Sequence, residues 1–252
     1  MVYALARYDF RTTRLFVAAP LGPGARIALD QSQANYLLNV LRRRPGDVVL
    51  VFNGRDGEWR ATLASEGRRR AALEVGEQTR AQPTPGDLDY LFAPLKHARL
   101  DYMVQKAVEM GATRLQPVLT QHTQAQRVNI ERMRANAVEA AEQCGILTLP
   151  DIAEPVGLAD AIAALEPSRL LVFCDEEADV QDPVAALAAA RPPDGKLAVL
   201  IGPEGGFTQD ERAALLTLPR VVRLALGPRI LRADTAAVAA LALVGAVIGD
   251  WR

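Results

Sequence analysis

A glycine-rich loop at residues 202–206 is the segment of the sequence best suited to bind a ligand. It reads Gly-Pro-Glu-Gly-Gly and directly follows the apolar run 197–201. Its three glycines let the backbone approach a ligand closely and leave peptide N–H groups exposed. Neither the G-x-G-x-x-G nor the Walker A pattern occurs, so a dinucleotide or a nucleoside triphosphate gains no support. An ordinary tight turn explains the spacing of the glycines as well as a ligand site does.

A second loop, residues 226–236, carries cationic side chains. It leads from an apolar strand candidate into the last apolar segment, and it places Arg229 and Arg232 beside a Gly-Pro pair. Guanidinium groups offer planar donors suited to phosphates and carboxylates. The alternative is a solvated charge, which is slightly disfavoured because a cation opposes the helix dipole at a helix start. Asp234 or Thr235 could cap the helix that follows, which is the structural alternative to a role in binding.

Alternating strands and helices must position both loops. In residues 87–252, apolar residues recur at helical spacing over 100–108 and 133–144, and a glycine follows each segment. The alternation predicts an α/β fold with a largely parallel sheet covered on both faces. Ligands bind such sheets at the carboxyl ends of the strands, where both loops lie. The strand candidates are 88–93, 114–118, 170–174, 197–201 and 221–225, with a weaker one at 151–154.

The front part of the chain has a different pattern. Short strand candidates surround one helix candidate, which predicts a small β-barrel. The sequence Gln-Pro-Thr-Pro-Gly at 82–86 predicts a linker. We therefore expect one domain over residues 1–82 and a second over 87–252. The strand candidates of the barrel are 14–19, 47–52, 58–63 and 70–75, and its helix candidate is 31–42.

Charge divides the chain at the same place. The 252 residues are 50% hydrophobic and 23% charged, which excludes a disordered or collagen-like chain. The formal net charge of −1 combines +5 over residues 1–86 with −6 over residues 87–252. A basic front part is suited to a nucleic acid partner, which the charge of the whole chain conceals.

The two cysteines and the apolar runs indicate a cytoplasmic protein. Cys144 and Cys174 form no C-x-x-C pair, and with two scattered histidines they argue against a metal site. We expect both thiols to be buried in a reducing cytosol. The longest apolar run, 235–249, has 15 residues, whereas a membrane span needs about 20, so no membrane segment is expected. The first ten residues lack the apolar stretch of a secretory signal.

Both loops resemble the paired signature loops of a known family. Segments 201–207 and 226–236 are similar to those of the bacterial 16S ribosomal RNA uridine N3-methyltransferases, the RsmE-type members of the SPOUT superfamily. Further similar pieces occur in the same order along nearly the whole chain, which makes coincidence improbable. These pieces are 14–17, 40–42 with 45–47 and 52–54, Lys96, 103–111 and 139–145.

The resemblance implies an architecture and a cofactor. It implies a PUA-like β-barrel for RNA over 1–82, a SPOUT α/β domain with a deep trefoil knot over 87–252, and a homodimer whose active site uses both subunits. S-adenosylmethionine would bind in the knot, with apolar side chains of the second loop against its adenine. The implied cofactor contacts are Cys174, Asp175, Ile201, Gly202, Pro203, Glu204, Gly205, Gly206, Leu226, Gly227, Ile230, Leu231 and Ala236.

The resemblance also implies catalytic roles. Methyl transfer to uridine N3 requires removal of the N3 proton and stabilisation of the charge that develops on the base. Arg232 is the first candidate for that stabilisation, and Glu204 is the candidate proton acceptor or, alternatively, a residue that fixes its own loop. Arg14 could also reach the active site. The target base must be unpaired or flipped out, because N3 lies on its pairing edge.

Basic residues, most of them in the front part of the chain, are the candidates for RNA binding. A second arginine run, 68–70, is explained as well by a solvated loop beside a turn. The candidate contacts with 16S ribosomal RNA are Arg14, Arg42, Arg43, Arg44, Lys96 and Lys106.

Departures from the family pattern keep two alternatives open. Relatives often carry arginine where this chain has Ile146, Leu147 and Thr148, and Asp234 replaces a frequent glutamate. One alternative is a SPOUT enzyme that acts on another RNA position, such as a ribose 2′-hydroxyl. The other is a catalytically silent RNA-binding factor in ribosome assembly. The intact glycines of both loops favour an enzyme.

Overall fold

The computed structural model describes residues 9, 11–65, 70–96, 98–125, 127–179 and 182–251. The chain packs into two compact units. The first comprises Met1–Thr84 and Ala141–Thr148, and the second comprises Pro85–Ala140 and Leu149–Arg252. Two residues of the second arginine run, Arg68 and Arg69, lie outside the described residues.

The first unit is built on a five-stranded sheet with the order β1-β3-β4-β5-β2. β1 pairs with β3 in parallel, and the remaining pairs are antiparallel. Its core contains fully buried aliphatic side chains such as Leu37, Val49 and Leu73. The elements are β1 (Arg14–Phe16), β2 (Arg26–Ala28), helix α1 (Gln31–Asn35) continued by a π-helical turn (Tyr36–Val40), β3 (Val48–Phe52), β4 (Glu58–Ser65) and β5 (Ala71–Arg80).

The sequence predicted most of these elements and misplaced some of their ends. β1 is shorter than the predicted strand 14–19, and the helix predicted over 31–42 ends at Val40. Arg42 instead adopts a left-handed backbone with φ 54°, which a helix cannot accommodate. β2 was not predicted, because only one of its three residues is buried and no alternating pattern marks it.

The second unit contains a seven-stranded sheet in which every pair is parallel, which confirms the predicted α/β class. The strand order is β12-β10-β11-β6-β7-β8, and β9 pairs with β7. The strands are β6 (Leu88–Phe92), β7 (Arg114–Leu119), β8 (Asp151–Ile152), β9 (Val156–Gly157), β10 (Leu170–Cys174), β11 (Leu197–Ile201) and β12 (Val221–Leu224). The helices are α2 (Ala98–Glu109), α3 (Ile130–Cys144), α4 (Leu158–Ala164), α5 (Pro183–Ala190), α6 (Gln209–Leu216) and α7 (Ala233–Val247).

Burial explains why these strands form the centre of the sheet. All five residues of β10 and all five of β11 are buried, as expected for parallel strands covered on both faces. One face carries Leu171, Phe173 and Leu200, which pack with Phe207 and Leu215. α7 packs against β11 and α2, and no helix of the described residues is long and apolar enough to cross a membrane.

The two candidate loops each lead into a helix, and the start of each helix can be compared with its prediction. Thr208 and Glu211 form a capping box at the start of α6, as the sequence predicted. The prediction for α7 was wrong: the helix begins at Ala233, and its N-cap is Arg232, whose side chain makes no capping hydrogen bond. Asp234 therefore lies inside the first turn of α7.

The cysteines differ in their burial. Cys174 is buried at the end of β10, as predicted. The prediction for Cys144 was wrong, because this residue is exposed at the last position of α3.

Candidate active site

Three chain segments leave the sheet of the second unit side by side. Cys174 ends β10 and is level with Ile201 on β11 and with Leu224 on β12. The Asp175 N–H donates to the Leu224 carbonyl at 2.9 Å, so the first residue beyond β10 stays close to β12. The segments that begin at Asp175, Gly202 and 225 therefore share the carboxyl edge, as the alternation of strands and helices predicted.

Glycine is required at two positions of the 202–206 loop, at Gly202 by close packing and at Gly206 by a left-handed backbone. A Cβ on Gly202 would lie 2.5 Å from the Phe207 ring. Gly206 has φ 68°, and a Cβ there would lie 2.5 Å from the Glu176 carboxylate. The Gly206 N–H also donates to the Pro203 carbonyl at 3.0 Å, which closes a turn. The loop is a tight turn and, at the same time, a backbone surface without side chains at the sheet edge.

His122 supports this turn from the loop that follows β7. Its Nδ1 lies 3.0 Å from the Gly205 carbonyl oxygen and 3.1 Å from that of Gly206. A Cβ on Gly205 would lie 3.1 Å from the Cβ of His122. The neighbouring Gln121 N–H donates to the Glu211 carboxylate at 2.8 Å. Sequence reasoning missed this contact, because nothing local connects residues 122 and 205.

Glu204 lies at the tip of the turn with its carboxylate exposed. Arg99, at the start of α2, donates to that carboxylate at 3.4 Å. Both residues border a cavity of about 250 Å³, and the predicted RNA contact Lys96 lines the same cavity. Arg99 was not among the predicted site residues. Its position next to Glu204 makes it the cation closest to the candidate proton acceptor among the ion pairs of the described residues.

The side chain of Asp175, a predicted cofactor contact, is engaged within the protein. It is fully buried, and its carboxylate accepts hydrogen bonds from Arg212 at 3.3 Å and from Arg223 at 2.8 Å. Both oxygens are therefore engaged within the protein. A contact between Asp175 and a ligand would involve its backbone rather than its carboxylate.

Two buried ionisable side chains near this edge, Cys174 and Tyr90, are uncharged. Burial, with a contribution from the charge of Asp175, raises the pKa of the Cys174 thiol to about 12, so the thiol keeps its proton at physiological pH. Tyr90 on β6 is 0% exposed, and its ring stacks on Phe92 with centroids 5.0 Å apart. Burial raises the pKa of Tyr90, and electrostatic interactions with Cys174 and Asp234 raise it further.

The Tyr90 hydroxyl has no hydrogen-bond partner among the described residues. A buried polar group without a partner costs about 1–3 kcal/mol. Tyr90 is level with Val199 on β11, two residues before the carboxyl end of both strands. Its hydroxyl is an available donor for a polar ligand.

The second loop presents its predicted residues to solvent. Ile230 is 97% exposed, and Gly227 has φ 89°. Arg232 is exposed and has no ion-pair partner among the described residues, and its carbonyl accepts the Ala236 N–H at 2.8 Å. An unpaired cation at a helix N-terminus is electrostatically unfavourable, which favours a role in binding. Leu226 and Leu231 are half-buried on the same loop.

Arg14, predicted to contact RNA and to reach the active site, makes buried contacts within the first unit. Its side chain is buried in the first unit, where it donates to Glu58 at 2.7 Å and to the Asp9 carbonyl at 2.6 Å. Arg80 also donates to Glu58, at 2.6 Å. Burial alone would raise the pKa of Glu58, but the hydrogen bonds from Arg80 and Arg14 outweigh it and lower the pKa. Arg14, Glu58 and Arg80 thus form a buried cluster that connects β1, β4 and β5.

The other predicted RNA contacts differ in accessibility. Arg42 and Arg44 are exposed on the first unit. Arg43 is half-buried, and its guanidinium donates to Thr13 Oγ1 at 2.7 Å. In the second unit, the Lys106 ammonium donates to Glu109 at 2.7 Å. Only Arg42 and Arg44 of these four residues present an exposed cation.

The described residues include no group of three or more histidine, cysteine, aspartate or glutamate side chains that could hold a metal ion.

Comparisons with known proteins match both units. Residues 82–245 match the family model described as an RNA methyltransferase domain, and residues 29–76 match an RNA methyltransferase PUA domain. The Synechocystis ribosomal RNA small subunit methyltransferase E is 32% identical, over 93% of this chain and 78% of that protein. The relative of the same name in Rickettsia conorii is 29% identical, over 92% of this chain and 94% of its own.

Two solved structures resemble the chain over nearly its whole length. One is a ribosomal RNA small subunit methyltransferase E from Neisseria gonorrhoeae bound to S-adenosyl methionine, with 26% identity, a TM-score of 0.83, and coverage of 96% of this chain and 100% of that one. The other is a methyltransferase of Legionella pneumophila in complex with the same cofactor, with 26% identity, a TM-score of 0.83, and coverage of 95% and 99%.

Proposed function

The chain belongs to the RNA methyltransferase family, and we propose that it transfers a methyl group from S-adenosylmethionine to N3 of a uridine in 16S ribosomal RNA. The observation that carries the proposal is the arrangement of three segments at one sheet edge. The glycine turn, the loop that bears Arg232 and the segment after β10 all leave neighbouring strands there. The trefoil knot and the homodimer implied by the family resemblance are part of the proposal.

The residues at this edge fit S-adenosylmethionine. The glycine turn offers backbone groups without side chains, and Leu226, Ile230 and Leu231 offer apolar surface for an adenine ring. The Tyr90 hydroxyl offers a buried donor that the described protein does not use. When bound, S-adenosylmethionine supplies an electrophilic methyl group on a positively charged sulfur.

Arg232 and Glu204 are the residues that we propose for the chemistry. The exposed guanidinium of Arg232 donates to a carbonyl oxygen of the uracil and stabilises the negative charge that develops when N3 loses its proton. The Glu204 carboxylate accepts that proton, and Arg99 holds the carboxylate in place from α2. Orientation of the base against the methyl donor supplies much of the remaining rate enhancement.

RNA recognition is proposed for the first unit, with residues 1–82 as the RNA-binding domain and 87–252 as the methyltransferase domain. The charge of +5 over residues 1–86 supports a contact with phosphates, and Arg42 and Arg44 present exposed guanidinium groups. Because this charge is modest, we expect weak, salt-sensitive binding to phosphates. The shape of the RNA must therefore contribute to the choice of target. The small ribosomal subunit in the cytoplasm is the proposed partner.

A labelling experiment tests the reaction. Purified protein is incubated with small ribosomal subunits from a strain that lacks the protein and with methyl-labelled S-adenosylmethionine, and the nucleosides of the 16S RNA are then separated. We expect the label in N3-methyluridine. Label in a ribose 2′-O-methyl nucleoside would indicate the alternative RNA methyltransferase, and failure to bind S-adenosylmethionine in calorimetry would indicate a silent assembly factor.

A further inference from the structure

A buried cluster of charges lies directly beneath the three segments. Its centre is Asp175, whose side chain is 0% exposed. Arg212 Nε lies 3.3 Å from both carboxylate oxygens. Arg223 reaches one of these oxygens with Nε at 2.8 Å and with a terminal nitrogen at 2.7 Å. The side chain of Arg212 is only 8% exposed, so the centre of the cluster is withdrawn from water.

Each member of the cluster lies in, or next to, a different one of the three segments. Asp175 is the first residue after β10. Arg212 lies in the first turn of α6, which begins directly after the glycine turn, and its N–H donates to the Thr208 carbonyl at 2.9 Å. Arg223 lies on β12, at the base of the loop that carries Arg232. The two ion pairs therefore connect all three segments through one carboxylate.

The cluster also contacts the glycine turn. Arg212 donates to the Glu176 carboxylate at 3.1 Å. A Cβ on Gly206 would lie 2.5 Å from that carboxylate, so the Glu176 side chain lies against the turn at Gly206. Arg212 therefore also contacts, through Glu176, the segment that borders the turn.

The energetics favour a positioning role over a stabilising one. Desolvation of a buried ion pair offsets most of its attraction, so apolar residues of equal volume often stabilise a protein as well. Removal of one partner, in contrast, leaves an uncompensated buried charge and is strongly destabilising. A buried network of this kind is therefore better suited to specifying one arrangement of the loops than to adding stability.

We propose that Arg212 and Arg223 are positioning residues that hold the three segments, through Asp175, in the arrangement that binds the methyl donor. The proposal rests on the proposed function, because it takes S-adenosylmethionine as the ligand of these segments. Neither arginine needs to touch the ligand. They act by raising the affinity of the site for S-adenosylmethionine.

The test measures S-adenosylmethionine affinity by calorimetry in Arg212→Gln, Arg223→Gln and Arg223→Lys proteins. Arg169→Gln is the matched control, because Arg169 is also 8% exposed and pairs with Asp87 at 2.6 Å and Asp89 at 3.4 Å, at the opposite edge of the same sheet. Melting temperatures are recorded for each protein, and binding is measured well below all of them.

We expect Arg212→Gln and Arg223→Gln to raise the Kd by about 3- to 30-fold. Arg223→Lys should recover part of the affinity, and Arg169→Gln should lower the melting temperature with an unchanged Kd. If the wild-type protein binds S-adenosylmethionine and both glutamine variants bind it with an unchanged Kd, the positioning role is overturned and the proposed function is not. A wild-type protein that does not bind would overturn the proposed function together with it. Should Arg212→Gln fail to fold, the two Arg223 variants decide the question, because that side chain is 29% exposed.

Discussion

Replacement of Tyr90 by phenylalanine tests the interior of the site at a single atom. The change removes the hydroxyl oxygen and keeps the ring that stacks on Phe92. Because the hydroxyl is buried without a partner among the described residues, its loss should stabilise the protein by about 1–3 kcal/mol when no ligand is bound. For a protein of this size each kcal/mol raises the melting temperature by about 2–4 °C, so a rise of about 2–12 °C is expected.

The opposite sign is expected in the presence of S-adenosylmethionine. If the hydroxyl donates to the bound ligand, Tyr90→Phe loses a hydrogen bond worth about 0.5–1.5 kcal/mol, and the Kd rises by about 2- to 12-fold. Calorimetric binding and thermal unfolding measure the two effects separately. Tyr102→Phe is the control, because Tyr102 is 45% exposed and should change neither quantity. A fall in the melting temperature of ligand-free Tyr90→Phe would refute the reasoning, since it would mean that the hydroxyl already has a partner.

Three further predictions concern the turn, the second loop and the first unit. Gly205→Val should weaken S-adenosylmethionine binding by about 10-fold or more in calorimetry, because its side chain overpacks against His122; an unaltered affinity would exclude the turn from the site. Arg232→Ala should lower kcat by about 100-fold with little change in the Kd of the methyl donor, whereas Arg229→Ala should change neither; equal losses in kcat and affinity would make Arg232 a cofactor contact. The lowered pKa of Glu58 contributes stability that is present above its ordinary value of 4.5 and is lost as the pH falls through the folded-state value. When the free energy of unfolding is measured against pH, the Glu58→Gln protein should therefore be less stable at neutral pH and lose less stability in acid. An unchanged dependence on pH would contradict the role of Glu58 in this cluster.

Sequence reasoning located the strands and loops that bear the site. β10 and β11 have the predicted bounds, because a fully apolar run between polar ends leaves little choice for a buried parallel strand. The capping box at Thr208 and Glu211 was equally readable, since both partners lie within four residues. Such local patterns suffice to place a loop at a strand end.

The contacts that organise the site were not predictable in the same way. Asp175, Arg212 and Arg223 meet only when three strands are in register, and charged residues in a sequence are usually solvated. Arg14 pairs with Glu58, 44 positions away, so its burial left no local signal. Cys144 was expected inside because cysteine is usually buried, but it is the last residue of α3 and is exposed there.

The central claim, methylation of uridine N3 in 16S ribosomal RNA, is tested most directly by nucleoside mass spectrometry of that RNA from a strain that lacks the protein. We expect N3-methyluridine to disappear in that strain, the wild-type protein to restore it, and the Arg232→Ala protein not to restore it. An unchanged amount of N3-methyluridine in the deletion strain would contradict the claim.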